Sequence, residues 1–319
     1  MSGMTTGNVS LLTRAEVWSR ELKEILRDEL MAQTYVRWLQ EFPDGDTFKI
    51  PSIGQAYVDD YAEDEAVKYR PLDTGQFTFQ ITEYLSSGTY VTKKAEQDMF
   101  YMNELVSRFV PEQERAIMEH VEEAVLGLQS QQTAGNANTI NGAPHRYAAK
   151  GSSGVMAVDD FARANLSLNK ANVSANNRVA IVDPSVAYTI ETSTNLTSIQ
   201  NNPMFEGIVS TGIATGMRFV RNVYGFDVYT SQRLPTISAE TLVEGDGSNS
   251  TSRAGYVANL FFSADASVVP FIGAWRQMPE VDTEYNKDFQ RTEFVTTARY
   301  GVKLYRPENL VVVLSNPSV

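Results

Sequence analysis

The residues best equipped for chemistry in this chain are acidic. Asp59, Asp60, Glu63, Asp64 and Glu65 crowd one short stretch, and hard divalent cations take oxygen ligands of this kind. The spacing departs from a helix–loop–helix calcium site, and the glycine that such a loop needs at its turn is missing. A solvated, charged loop tip accounts for the run more simply. A third reading pairs these acids with basic residues of a neighbouring molecule, with Arg218, Arg221 and Arg233 as candidates. Glu119, His120 and Glu123 form a second grouping at helical spacing. A carboxylate-bridged metal bundle would need a matching Glu-x-x-His on another helix, and the sequence has none. His120 falls within an apolar stripe and reads as a core or interface histidine.

Other chemistry is limited by what the chain contains. It has no cysteine, which removes disulfides, zinc–thiolate sites and thiol catalysis. His120 and His145 are the only histidines, too few for a histidine-rich metal site and a poor basis for a triad. Gly207, Gly212 and Gly216 lack the strand–glycine–helix order of a nucleotide fingerprint, and neither a phosphate-binding loop nor a nucleophile elbow occurs. No cofactor, metal or catalytic residue is therefore expected. The net charge is −12, with most of the excess acid before Ser130. Such a chain does not grip nucleic acid by counterion release, although it could line a compartment that holds it. The N-terminal sequence has no basic start followed by an apolar stretch, and no run approaches the ~18 apolar residues of a membrane span.

The elements that would carry these residues follow from periodicity. Thr13 to Glu41 reads as a helix, with Thr13 and Glu16 as a capping box. Pro43-Asp44-Gly45-Asp46 stops it. From Asp46 to Thr92 the period becomes strand-like. Phe77, Phe79 and Ile81 alternate with Gln76, Thr78, Gln80 and Thr82, the pattern of a half-buried strand. A two-stranded arm of this kind is marginal alone, so it makes sense lying on a neighbouring molecule. Lys93 to Leu128 returns to helical spacing, ~50 Å long if collinear, with a kink or break expected at Pro111. Residues 130–154 read as a loop. Val158 to Leu168 and Pro184 to Ile190 read as helices, and Gly245 to Ser252 as an exposed loop. Strands are expected at Val179 to Val182, Met217 to Val223, Phe226 to Thr230, Tyr256 to Phe262, Ala266 to Ile272, Phe294 to Tyr305 and Leu310 to Leu314.

The order of these elements resembles a tailed-bacteriophage major capsid protein of the Hong Kong ninety-seven type, the Johnson fold. Gly45-Asp46-Thr47-Phe48-Lys49-Ile50-Pro51 resembles the start of that family's extended loop, and Tyr69-Arg70-Pro71-Leu72-Asp73 through Ile81 its return strand. Lys93 to Gln129 is similar to the approach to, and body of, the spine helix. Tyr224 to Pro235 looks like the axial-domain segment GF-x-V-x-x-S-x-x-LP. Arg299 to Glu308 resembles the closing strands, where YG-x-x-x-x-RPE is common.

The resemblance implies an α+β fold with four parts. These are an N-terminal arm and helix (1–43), an extended two-stranded loop (44–92), a peripheral domain of long spine helix plus sheet (93–177 and 290–319) and an axial domain (178–289). It implies a non-enzymatic subunit that assembles with copies of itself, as hexamers and pentamers, into an icosahedral shell. Double-stranded DNA would be enclosed without sequence-specific binding and without any membrane. A scaffolding protein, a portal protein and a decoration protein are the other expected partners, with scaffolding encoded elsewhere. Assembly is expected in the host cytoplasm. Asp59, Asp60, Lys68, Tyr69, Arg70, Phe77, Phe79, Arg218, Arg221 and Arg233 are the expected inter-subunit contacts. Lys68 also lies where some family members crosslink to an asparagine, but nothing marks a partner asparagine. A nanocompartment shell protein and, from another class, a carboxylate-based metal-dependent hydrolase are the alternatives.

Overall fold

Residues 30–39, 47–54, 58–60, 63, 66, 69, 74–98, 102–132, 138–192, 219–244 and 250–317 are described by the structure, a computed structural model. A 3-10 turn (Ala32–Tyr35) runs into strand β1 (Val36–Leu39). Strands β2 (Thr47–Ile53) and β3 (Thr74–Gln80) precede β4 (Glu83–Thr92), helix α1 (Lys93–Asp98) and the long helix α2 (Met102–Gly127). Three short strands follow: β5 (Thr139–Ile140), β6 (Ala143–Pro144) and β7 (Arg146–Ala148). Next come α3 (Val158–Lys170), β8 (Arg178–Val182) and α4 (Pro184–Thr192). The remainder is all strand: β9 (Phe219–Val223), β10 (Phe226–Thr230), β11 (Glu240–Glu244), β12 (Ser250–Arg253), β13 (Val257–Ser263), β14 (Phe271–Asn286), β15 (Arg291–Leu304) and β16 (Val311–Ser315).

Eight strands form a mixed sheet in the order β12-β11-β7-β16-β13-β8-β10-β9. Its centre is covered on both faces, so β8, β13 and β16 are buried at every position and read as nearly continuous apolar runs. One face, including Ala180, Val182, Phe261, Val311 and Val313, packs on Phe161, Ala164 and Leu168 of α3 and Val186 and Ile190 of α4. The opposite face, including Val179, Ile181, Leu260, Phe262 and Leu314, packs on Val121, Val125 and Leu126 of α2. Buried polar side chains tie these elements together. Asn259 accepts from the N–H of Asp183 and donates to the Val313 carbonyl and the Ser315 hydroxyl. Asp160, in the first turn of α3, accepts from the N–H groups of Ala157 and Lys150. Burial raises its pKa above the ordinary carboxylate value. The hairpin β9–β10 closes through Tyr224 and Gly225, both at positive φ, the two-residue turn that suits the natural twist of paired strands.

A second sheet has the order β1-β14-β15-β4. Helix α2 lies along one of its faces, where Thr296 donates to Gln113 and Tyr300 is fully buried.

Several expectations are corrected here. The N-terminal helix does not extend to Glu41, because Val36–Leu39 pairs in parallel with Phe271–Ala274. Trp38 lies against Gly273, where a Cβ would stand 2.7 Å from the indole ring, and it stacks on Trp275 at 5.1 Å. Strand pairing and this aromatic fit override the helical spacing; the expected helix before Leu30 lies outside the described residues. Helix α2 runs through Pro111 without ending. A mid-helix proline costs about 3 kcal/mol, whereas burying Ile117, Val121, Val125 and Leu126 contributes roughly 1.5–3 kcal/mol per side chain. The expected loop 130–154 contains a buried strand, β7. The expected exposed loop Gly245 to Ser252 is bordered by paired strands, β11 and β12, while residues 245–249 lie outside the described residues.

The strand expected at Ala266 to Ile272 instead starts at Phe271 and continues to Asn286. Its distal half alternates Pro279, Val281, Thr283 and Tyr285 with Glu280, Asp282, Glu284 and Asn286, and the first of these faces is only partly covered. Sheet membership also differs from the expected boundaries. β4 belongs to the four-stranded sheet rather than to the extended loop, β14 pairs with β15, and β16 sits inside the eight-stranded sheet. Pairing across long sequence separations, invisible to local pattern, decides all three.

Candidate assembly surface

The hairpin β2–β3 is built to reach outward. Its register pairs Phe48 with Phe79 and Ile50 with Phe77, which places the four apolar side chains on one face. That face is anchored at its base. Phe79 packs fully buried with Ile81, Ile272 and Ala274, and the Phe77 ring meets Tyr305 edge-on at 5.0 Å. Lys303 stands over Phe77 and donates to the Thr78 carbonyl at 2.9 Å. Gly301 permits the close approach, since a Cβ there would meet the Gln80 carbonyl oxygen at 2.8 Å. The opposite face, with Gln76, Thr78 and Gln80, is exposed.

Past this anchor the protomer gives little cover. Val58 is 95% and Tyr69 94% exposed, and Asp59, Asp60 and Glu63 are exposed beside them. The described part of the acidic run is thus solvent-exposed, and among the described residues no group of His, Asp or Glu is arranged to hold a metal. Further apolar surface is bare on the four-stranded sheet, at Tyr84, Tyr90, Met278, Tyr285 and Phe289, and near the eight-stranded one, at Leu166, Tyr188 and Tyr224. At the tip of the β14–β15 hairpin, Arg291 lies between the rings of Tyr90 and Phe289 and pairs with Glu293 at 2.6 Å.

The remaining expected contact residues divide three ways. Phe79 is enclosed by its own protomer and has no face for a neighbour, so its expected inter-subunit role is corrected. Arg233 was expected to meet the acidic run of another copy. Instead it pairs with Glu119 and Glu123 of α2 at 3.0 and 2.8 Å, fastening the end of the eight-stranded sheet to the helix. Arg221 sits on β9 opposite Val228, and Lys68, Arg70 and Arg218 lie outside the described residues. His120 is exposed rather than core, its Nδ1 3.2 Å from the Tyr300 hydroxyl.

Two structural devices escaped sequence reasoning. Glu122, fully buried, accepts hydrogen bonds from the backbone N–H groups of Met31, Ala32 and Gln33 at 2.9, 2.8 and 3.2 Å. Gln33 in turn donates to the Met118 carbonyl at 2.6 Å, so the arm is pinned to the helix. The signal was a charged residue one turn from Met118 and Val125 on an apolar stripe, since charges on such faces are buried only when paired. Arg146, also buried, forks onto Glu240 at 2.8 and 2.7 Å and donates to Gln129 at 2.6 Å. Nothing in local sequence marks that pair.

A protomer with a long helix across a sheet, an arm anchored at its base and apolar groups left bare is a component of something larger. Residues 76–313 match the sequence model of the phage capsid protein family. The chain belongs to that family. Among curated proteins, none matches it in sequence. Solved structures share the fold across almost the whole chain. One from Mycobacterium phage Che8 is 16% identical, covers 94% of this chain and 96% of its own, and has a TM-score of 0.69. The capsid of cyanophage P-SCSP1u is 15% identical over 98% and 95%, with a TM-score of 0.71. The capsid of a native GTA particle is 10% identical over 99% of each chain, with a TM-score of 0.65. The capsid protein therefore has the Hong Kong ninety-seven type fold and a structural, not catalytic, role in the virion shell, built by self-association. Neither the nanocompartment nor the hydrolase alternative finds support in the family or the fold.

Proposed function

We propose that this capsid protein is the major shell subunit of a tailed phage, assembling through hexamers and pentamers into an icosahedral head around double-stranded DNA. The observation that carries the reading is the hairpin β2–β3. Its base is locked to the protomer, while Val58 and Tyr69 beyond it gain apolar partners only on a second copy. Burial there contributes about 25 cal/mol per Å² before association costs are subtracted, and symmetry repeats each modest contact around a closed ring. Asp59, Asp60, Lys68, Tyr69, Arg70 and the half-buried Phe77 form this candidate contact, with Arg218 and Arg221 as candidates elsewhere. The four-stranded sheet with α2 serves as the peripheral part and the eight-stranded sheet as the axial part.

The remaining partners follow from this role: a scaffolding protein during assembly in the host cytoplasm, a portal at one vertex, and a decoration protein outside. The acidic chain holds DNA without gripping it. Negative-stain electron microscopy of the purified chain, alone and with its co-encoded scaffold, tests the proposal. Closed shells or ring-shaped capsomers are expected. A persistent monomer under both conditions would reject it, and retention of free DNA by the isolated subunit at physiological salt would reject the DNA statement alone.

A further inference from the structure

The four-stranded sheet ends in two open edges, and they are treated oppositely. β1 covers β14 only from Phe271 to Ala274. Beyond Ala274, among the described residues, the outer edge of β14 has no strand partner. That edge carries Pro279, Glu280, Asp282 and Glu284, and its register is broken at Trp275–Gln277 and again at Gln277–Glu280. Proline, alternating charge and bulges are the means by which natural sheets refuse a further strand. The other edge is β4, ten residues from Glu83 to Thr92 that, among the described residues, pair only with β15. From Tyr84 to Thr92 it holds no charge and no proline, and its pairing with β15 runs from Glu83 to Thr92 without a register shift. Tyr84 and Tyr90 stand 63% and 57% exposed on it. Among the described residues it is a bare edge across the sheet from a guarded one, and such an edge is a template for pairing.

The geometry points to an antiparallel pairing of β4 with β4 of a second copy of this chain, across a two-fold axis at Gly88. This inference rests on the shell-forming reading above. The sequence of the strand is self-complementary about that centre. Keeping the two sheets continuous requires residues of like parity to face each other, and centring on Gly88 sets Leu85 of each copy beside Val91 of the other. Tyr84 then faces Thr92, and Ser86 faces Tyr90. Glu83 of each copy meets Lys93 of the other, just past the strand end, where Lys93 already turns to Glu96 at 3.0 Å. The symmetric alternative, β14 against β14, would line up Glu280, Asp282 and Glu284 of both copies. An isologous contact of this kind joins one ring of subunits to the next, because every icosahedral shell carries two-fold axes between its capsomers.

The test uses the absence of native cysteine. A Cβ at Gly88 meets nothing closer than Val295 at 3.6 Å, so Gly88→Cys is accommodated. Across an antiparallel pair, Cα atoms directly opposite lie about 4.5–5.5 Å apart, within disulfide reach. Shells of Gly88→Cys, oxidised mildly and run on a non-reducing gel, should migrate mostly as covalent dimers. Shells of Asp282→Cys on the guarded edge should stay monomeric. Intact shells with monomeric Gly88→Cys, or with dimeric Asp282→Cys, would overturn the inference while leaving the assembly reading standing. Failure of the unmodified chain to form shells would remove both. Should Gly88→Cys itself impair assembly, charge reversal decides: Glu83→Lys and Lys93→Glu should each lower shell yield, and the double variant should restore it. A double variant no better than either single one would overturn the pairing.

Discussion

Removing Glu122 should release the N-terminal arm, and the size of the effect can be worked from its contacts. The carboxylate receives three backbone N–H groups, with Oε1 serving Met31 and Ala32 and Oε2 serving Gln33. Hydrogen bonds to a charged acceptor contribute about 1.5–3 kcal/mol each, so the three sum to at least about 4 kcal/mol. The arm can swing away and regain water, which caps the loss at what its docking is worth. We expect Glu122→Ala to destabilise the unassembled subunit by about 3–5 kcal/mol, the range for breaking a buried charged contact. Glu122→Gln keeps a carbonyl for Met31 and Ala32 but turns an amide toward Gln33, so it should lose only about 1–2 kcal/mol. Urea unfolding gives the ranking. The stack of Trp38 on Trp275 supplies a local probe, because arm release separates the rings before the core melts. Limited proteolysis should cut Glu122→Ala near Tyr35 under conditions that leave the parent chain intact. An Ala variant whose urea midpoint, tryptophan emission and proteolysis all match the parent would refute the pinning argument. Equal losses for Gln and Ala would refute the assignment of separate roles to the two oxygens.

Three further outcomes follow from the packing. Gly273→Ala drives a Cβ into the Trp38 ring and should cost about 1–3 kcal/mol as an overpacked site, read as a lower urea midpoint; Trp38→Leu in the same background should recover part of it. Arg146→Met leaves Glu240 without its fork and Gln129 without a donor, and should cost about 3–5 kcal/mol, with the double variant Arg146→Met/Glu240→Leu recovering much of the loss by thermal unfolding. His145 is fully enclosed, and desolvation lowers its pKa below the ordinary imidazole value. The unfolded chain therefore binds a proton there first, so stability falls as pH drops from the ordinary value near 6.5 toward the lower folded value. The urea midpoint should decline over that window in the parent chain and decline less in His145→Asn; parallel curves would contradict the reasoning.

How far the sequence could be read depended on where each element found its partners. β3, α3, β8, α4, β10 and β16 were legible because each buries a face against its immediate surroundings, and burial imposes the period. The end of the N-terminal segment was not. Val36–Leu39 sits at helical spacing after Leu30 and Met31, yet its conformation is set by Phe271–Ala274, more than two hundred residues away, and by a glycine that admits Trp38. The distal half of β14 was hidden for another reason. Its alternation of Pro279, Val281, Thr283 and Tyr285 with Glu280, Asp282, Glu284 and Asn286 is strand-like, but a proline inside the run demotes it.

The same proline and acids bear on function. In a free-standing domain, sixteen residues of strand with an uncovered outer half would be a liability, and the guarding of β14 by Pro279, Glu280, Asp282 and Glu284 shows the hazard being managed. The same sheet leaves β4 unguarded, and the hairpin β2–β3 carries Phe48, Ile50, Phe77 and Phe79 on one face only as far as the protomer can cover them. Where the protomer stops, the apolar groups continue, at Val58 and Tyr69. On the reading proposed above, residues whose period is unfinished within one chain find their partners on the next. For a shell protein, the places where local sequence logic fails are accordingly the first places to look for the lattice.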